Sequence, residues 1–192
     1  MDNRKLTVGI TQGDSNGIGY EVIIKALADP RILDMMTPVV YGSSKVFGFY
    51  RKTVHEIEQM DTNVINSPEE AHARRVNILN CLPENVFAEP GGATAESAQA
   101  AITCLERAVK DLRNGDIDVL VTGPMNKKSA SDAGFGFNGH TEYLEKAFGV
   151  KDVTMFMISQ RLKVGVVTGH IPLKDVPGAV TTEKILSKLR LI

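Results

Sequence analysis

A chain of 192 residues, 43% hydrophobic and 23% charged, has the make-up of a globular protein long enough to bury a real core. A formal net charge of -1 supplies no basic face for nucleic acid, no run of about 18 apolar residues supplies a membrane span, and Met1-Asp2-Asn3-Arg4-Lys5 lacks the apolar stretch of a secretory leader, so the cytosol is the expected compartment. Cys81 and Cys104 form no C-x-x-C pair and are read as small hydrophobes, neither a thiolate metal site nor a structural disulfide.

Strand and helix signals alternate along the chain. Leu6-Thr7-Val8-Gly9-Ile10-Thr11 is β-prone, the glycine-punctuated stretch Gly13 to Gly19 is a turn, and Tyr20 to Ala28 reads as a helix closed by Asp29-Pro30. Pro38-Val39-Val40-Tyr41-Gly42 is the next strand, and Ser43 or Ser44 caps the helix that follows. From Asn63 to Gly92 the pattern is irregular, with turns at Asn66-Ser67-Pro68 and Leu82-Pro83 and an expected strand at Asn85-Val86-Phe87-Ala88.

The clearest helix begins near Thr94. Ala98, Ala101, Ile102, Leu105, Ala108, Val109 and Leu112 form one apolar stripe, Glu96 and Arg113 suit the dipole at either end, and Asn114-Gly115 ends it. The apolar run Asp118 to Pro124 predicts a strand covered on both faces. A helix over Thr141 to Phe148 follows. Val153–Ile158 and Leu162–Thr168 predict two buried strands, joined antiparallel through Ser159-Gln160-Arg161. Thr182 opens a last helix with Ile185, Leu186 and Leu189 on one face, and an apolar stripe stopping at Leu191-Ile192 is expected to be covered by further chain or by a partner. The alternation predicts an α/β fold with a mostly parallel sheet flanked by helices.

Four stretches carry candidate chemistry. The first, Thr11-Gln12-Gly13-Asp14-Ser15-Asn16-Gly17-Ile18-Gly19-Tyr20-Glu21, lies where a first strand hands over to a first helix. It is neither a Rossmann fingerprint nor a P-loop, and as it stands it is a ligand-facing loop or a plain structural turn. In the second, Val121-Thr122-Gly123-Pro124-Met125-Asn126-Lys127-Lys128, Lys127 or Lys128 is a point charge for a phosphate or carboxylate, or the pair is simply solvated. In the third, Ala133-Gly134-Phe135-Gly136-Phe137-Asn138-Gly139-His140-Thr141-Glu142, imidazole, hydroxyl and helix N-terminal amides suit phosphate oxygens; the plain alternative is a Thr141 helix cap flanked by His140. In the fourth, Val166-Val167-Thr168-Gly169-His170-Ile171-Pro172-Leu173, His170 follows an apolar strand and is a divalent-metal ligand or a structural histidine. His55 and His72, among charged neighbours, are read as surface residues.

Taken in order, these stretches resemble the landmarks of the 4-hydroxythreonine-4-phosphate dehydrogenase family of pyridoxal phosphate biosynthesis. Gly13 to Glu21 is similar to its Gly-Asp-Pro-x-Gly-Ile-Gly-Pro-Glu opening, Thr122 to Lys127 to its lysine turn, and Gly139-His140-Thr141-Glu142 to its substrate-binding pair. His170 resembles its first metal-binding histidine, at an interval of 170 − 140 = 30 residues that suits the family. The resemblance implies an isocitrate/isopropylmalate dehydrogenase-like fold, with residues 1–192 as the N-terminal portion of a two-domain enzyme that shares its active site across a homodimer. It implies a phosphorylated small-molecule substrate held by His140 and Thr141, with Lys127 as a further contact. It also implies a divalent metal (zinc, magnesium or cobalt) held in part by His170, and NAD or NADP as hydride acceptor. The expected reaction is metal-assisted oxidation and decarboxylation of 4-phosphooxy-L-threonine to 3-amino-2-oxopropyl phosphate.

Ser15-Asn16 and Tyr20 depart from the opening motif, where two prolines are usual, so no role passes to Asp14. The remaining metal histidines and most nicotinamide contacts of the family fall in a C-terminal portion with no counterpart here, so the chain is expected to be truncated and its site incomplete. Three rival readings remain. One is a dehydrogenase of a phosphorylated four-carbon sugar acid such as threonate or erythronate phosphate. Another is a non-catalytic phosphate-binding fragment. The third is an acyl- or phosphoryl-handling enzyme of similar architecture, against which the histidine landmarks weigh.

Overall fold

A computed structural model describes residues 4–54 and 60–192; His55 lies outside them. Residues 1–140 and 141–192 form two compact units.

The first unit is built on a five-stranded parallel sheet: β1 (Leu6–Thr11), β2 (Met36–Gly42), β3 (Thr62–Ile65), β4 (Val76–Asn80) and β5 (Val119–Thr122), in the order β3-β4-β2-β1-β5. Helices α1 (Gly19–Leu27), α2 (Pro30–Met35), α3 (Ser44–Thr53) and α4 (Ala95–Asn114) connect the strands. Side chains alternate across β2. Val40 joins Tyr20, Ile24, Phe47 and Tyr50 in the α1/α3 layer, while Val39 and Tyr41 join Cys104, Ala108 and Ile117 in the α4 layer. The chain winds outward from β1 through β2, then returns with β5 on the other side of β1. The carboxyl ends of β1 and β5 therefore flank the topological switch point, where open α/β sheets place their ligands.

Local signals account for the helices. In α1, Tyr20, Ile23, Ile24 and Leu27 recur at helical spacing and are all buried. Ser43, rather than Ser44, caps α3 by accepting the Val46 amide at 3.3 Å. Thr94 caps α4 by accepting the Ser97 amide at 3.1 Å, and Gly115 closes that helix at φ 82°, a left-handed position. Six of the seven expected stripe residues of α4 are buried, and Leu112 packs partly against the core.

Several expectations need correction. Asp29-Pro30 does not merely end a helix: Asp29 accepts the Arg31 amide at 3.0 Å and Pro30 takes the first helical position, so the pair starts α2. Residues 85–88 are not a strand; Val86 donates its amide to Pro83 in a turn, and Phe87 is exposed beneath the Lys45 ammonium. The strands of this region are β3 and β4. Their Asn63 and Asn77 weaken the β signal, yet the buried Asn77 amide donates to the Pro38 carbonyl at 2.9 Å and accepts from Asn63 Nδ2 at 3.0 Å. Strand β5 is not covered on both faces: it is a sheet edge in which Val119 is 40% and Val121 48% exposed.

The second unit begins on α6 (His140–Phe148), which follows the short α5 (Lys127–Asp132) of the first unit. It contains the antiparallel pair β6 (Phe156–Ile158) and β7 (Lys163–Gly165), then α7 (Val176–Ala179) and α8 (Thr182–Arg190). The expected tight link is present, with the Ser159 amide donating to the Leu162 carbonyl at 2.8 Å. The expected burial is not: Met157, Ile158 and Val164 are exposed, because two short strands cannot cover their own faces. Thr181 caps α8 by accepting the Lys184 amide at 3.2 Å, and Ile185, Leu186 and Leu189 remain exposed. Among the described residues no helix is long and apolar enough to cross a membrane.

Candidate functional site

The opening loop and the lysine turn meet at the carboxyl ends of β1 and β5. The Asp14 amide donates to the Pro124 carbonyl at 2.8 Å, and the Gly123 amide donates to Thr11 Oγ1 at 3.1 Å. Gly13 sits at φ 69°, and a β-carbon there would lie 2.2 Å from the Pro124 carbonyl oxygen. Gly13→Ala is therefore expected to destabilise the protein by about 2 kcal/mol or more, adding left-handed strain to a backbone clash. A urea midpoint equal to that of the unaltered protein would refute this.

Most of the opening loop is spent on holding itself. Asp14 Oδ1 accepts the Asn16 amide at 2.9 Å, Asn16 Oδ1 accepts the Glu89 amide at 2.8 Å, and Tyr50 donates its hydroxyl to the Ser15 carbonyl at 2.7 Å. Asp14, Ser15 and Asn16 are all buried. The structural-turn reading of this stretch is thus the one its hydrogen bonds support. Tyr20 is completely buried; it donates to Gln12 Oε1 and accepts the Ser43 amide at 2.9 Å. An aromatic hydroxyl therefore ties the loop to the start of α3 at the position where the resembling motif carries proline.

Downstream, Asn126 caps α5 by accepting the Ser129 amide at 3.1 Å, which puts Lys127 at the first, exposed turn of that helix. His140 is half-buried, and burial first, then the Lys127 ammonium, holds its imidazole below the ordinary value. The ring is accordingly neutral at pH 7, with one N–H to donate and one nitrogen to accept. The sign of the linkage follows. The unfolded chain binds this proton more readily than the folded one, so stability rises with pH across the window below 6.5, and is lost as pH falls from 6.5 toward the folded value. An NMR titration is expected to place the His140 midpoint below 6.5, and Lys127→Ala to raise it only partly, because burial is the larger cause. A midpoint unmoved by that substitution would show that Lys127 does not act on the ring.

Thr141 and His170 come together in the second unit. They line one cavity of about 290 Å³, with Glu142, Val167, Gly169 and Lys188 also in its wall. His170 is exposed and holds φ 55°, the one non-glycine residue with positive φ among those described. Strain of this kind persists where the surroundings impose it and concentrates at ligand-facing positions. Lys188 was missed by sequence reading, which saw only the apolar face of α8. Its ammonium bonds to Asp152 and to the Val153 carbonyl, and Ser187 donates to the other Asp152 oxygen at 2.8 Å. The available signal was its place in the last turn of a helix, where a cation is favoured. His72, by contrast, is an exposed residue, as expected.

The family model for the pyridoxal phosphate biosynthetic protein PdxA matches residues 34–192. This chain belongs to the PdxA family. Among relatives of this chain, the 4-hydroxythreonine-4-phosphate dehydrogenase of Bacteroides thetaiotaomicron is 39% identical over all of this chain and 52% of its own length. The D-threonate 4-phosphate dehydrogenase of Cupriavidus necator is 34% identical over 88% of this chain and 50% of its own length. A crystal structure of a 4-hydroxythreonine-4-phosphate dehydrogenase from Burkholderia phymatum aligns at a TM-score of 0.86 and 29% identity, covering 98% of this chain and 57% of the other. This PdxA-family chain thus spans about half the length of the curated relatives it matches.

The donor set for a metal is partial. Among the described residues no group of three or more histidine, cysteine, aspartate or glutamate side chains is gathered as a metal site. His170 offers one accessible imidazole, which suits a single ligand of a divalent ion and not a whole site.

Proposed function

We propose that this chain is the N-terminal portion of a two-domain, NAD- or NADP-dependent dehydrogenase acting on a phosphorylated four-carbon hydroxy acid, with 4-phosphooxy-L-threonine as the substrate and 3-amino-2-oxopropyl phosphate and carbon dioxide as products. The observation that carries this reading is the shared cavity of Thr141 and His170, two residues 170 − 141 = 29 positions apart in the chain.

In this reading the Thr141 hydroxyl and the first amides of α6 donate to the substrate phosphate, and the neutral His140 ring adds an N–H. Burial, aided by the Lys127 charge, holds the His140 ring neutral, and the same charge favours an incoming anion. The exposed His170 ring contributes one nitrogen ligand toward a divalent ion, the other ligands being supplied from outside the described residues. A divalent ion held there would supply Lewis-acid polarisation of a substrate oxygen, and a nicotinamide would supply hydride acceptance. Val153, Val166 and Val167 give the same cavity an apolar wall. A homodimer, as the resemblance implies, completes the reading.

A second substrate is favoured by one specific observation, the 34% identity to a D-threonate 4-phosphate dehydrogenase. The two acids differ in an amino group against a hydroxyl beside the carboxylate. The deciding experiment measures nicotinamide reduction by the purified protein, expressed from its full reading frame, with each phosphorylated acid and added divalent metal. A kcat/KM at least about tenfold higher for 4-phosphooxy-L-threonine supports the first assignment. The reverse ratio supports the second, and no reduction with either acid removes the dehydrogenase reading.

A further inference from the structure

The chain's two cysteines, 104 − 81 = 23 positions apart, meet in the fold. Cys81 is the first residue after β4, pinned there by its amide, which donates to the Gly42 carbonyl at 3.1 Å. Cys104 lies in the middle of α4 on the face turned to the sheet and is fully buried. Their sulfurs are 3.4 Å apart. Cys104 is on a helix of the core and Cys81 packs against that core directly after β4, so their approach follows from the sheet–helix packing.

The two thiols are not equivalent. Cys81 is partly exposed to solvent. Cys104 has no such access. Hydrogen bonding from Cys104 draws the Cys81 thiol below its ordinary value, and the Arg107 guanidinium adds to this, while burial and Asp111 oppose it; burial pushes Cys104 up. Arg107 is held in place by Asp111, whose carboxylate it meets at 3.0 Å and which also accepts the Tyr41 hydroxyl at 2.9 Å. An accessible thiol biased toward thiolate beside a buried thiol is the arrangement of an attacking and a resolving cysteine.

We propose that Cys81 and Cys104 form a peroxide-oxidisable dithiol, which closes reversibly into a disulfide joining the end of β4 to α4. The Cys81 sulfur attacks the terminal oxygen of a hydroperoxide; the O–O bond breaks, the other oxygen leaves as water or alcohol with the proton given up by the Cys81 thiol, and Cys81 becomes a sulfenic acid. The Cys104 sulfur then attacks the Cys81 sulfur, its proton leaves with the hydroxyl as water, and the S–S bond forms. Two thiols and one hydrogen peroxide thus give one disulfide and two waters. The site is independent of the dehydrogenase reading, since it involves none of the residues assigned there.

The test treats the full-length protein with stoichiometric hydrogen peroxide, quenches with N-ethylmaleimide under denaturing conditions and measures intact mass and linked peptides. The expected product is about 2 Da lighter than the reduced chain, carries no maleimide, yields one peptide pair joining residues 81 and 104, and is restored by dithiothreitol. Cys104→Ser is expected to stop at a dimedone-reactive sulfenic acid on Cys81, and Cys81→Ser to leave Cys104 reduced. A chain that accumulates sulfinic acid without the link, forms only disulfides between molecules, or keeps both thiols at peroxide doses that oxidise glutathione would overturn the proposal. The unaltered chain alone decides this if either variant fails to fold.

Discussion

On the dehydrogenase reading proposed above, His170→Asn in the protein expressed from its full reading frame is expected to lower turnover by more than about 100-fold while leaving the fold intact. Outer partners that merely orient metal ligands already contribute about 10- to 100-fold, so loss of a ligand itself exceeds that range. The choice of replacement follows from the backbone. His170 stands at φ 55°, and asparagine tolerates the left-handed region better than most residues, so the change removes the imidazole without adding strain. The side chain is exposed, and surface substitutions of this kind alter stability by about 0.5 kcal/mol or less. Steady-state rates at saturating substrate and metal content by atomic emission, read beside the thermal midpoint, separate the effects. Unchanged turnover and unchanged metal content would remove the proposed role of His170.

Tyr20→Ala is expected to be the most destabilising single change in the first unit, at roughly 4 kcal/mol or more. Truncating a buried aromatic ring costs about 3–5 kcal/mol through lost contacts and the cavity left behind. Tyr20 is completely buried, stacks on Tyr50 at a 5.6 Å centroid separation and meets Phe47 edge-on at 6.0 Å. Loss of its hydroxyl also strands the Ser43 amide and Gln12 Oε1, each a buried group whose unmet hydrogen bond costs about 1–3 kcal/mol. Burial raises the Tyr20 hydroxyl well above its ordinary value, so it remains a donor throughout the stable pH range. For a chain of this size the midpoint should fall by roughly 10 °C, and Tyr20→Phe should recover the ring's share but not the hydroxyl's. A calorimetric midpoint for Tyr20→Ala within about 3 °C of the unaltered protein would show that the ring is not an anchor.

Legibility in the sequence tracked the distance over which each feature is decided. The helix α4 was readable end to end because its cap at Thr94, its apolar stripe and its left-handed stop at Gly115 all act within a turn or two. Strands β3 and β4 were obscured because Asn63 and Asn77 interrupt their apolar pattern, and what makes those amides tolerable is bonding across strands. The coverage of β5 was misjudged because an apolar run records what a strand prefers, while its place at the sheet edge is a property of strand order. In the sequence Tyr20 reads as the start of a helix and as a departure from a motif; its work as a hydrogen-bonded anchor depends on Gln12 and Ser43, one before it and one after α2.

Amino-acid order alone was enough for the α/β class, both ends of α4, and the family to which the chain belongs, because periodicity, capping and motif spacing are written over short stretches. Tertiary packing was required to bring Thr141 beside His170, to set Lys188 in the same cavity wall, and to place Cys81 against Cys104. Those neighbours are separated by tens of residues. Which of them touch depends on how strands are ordered and helices are laid across them, and neither composition nor local pattern contains that choice.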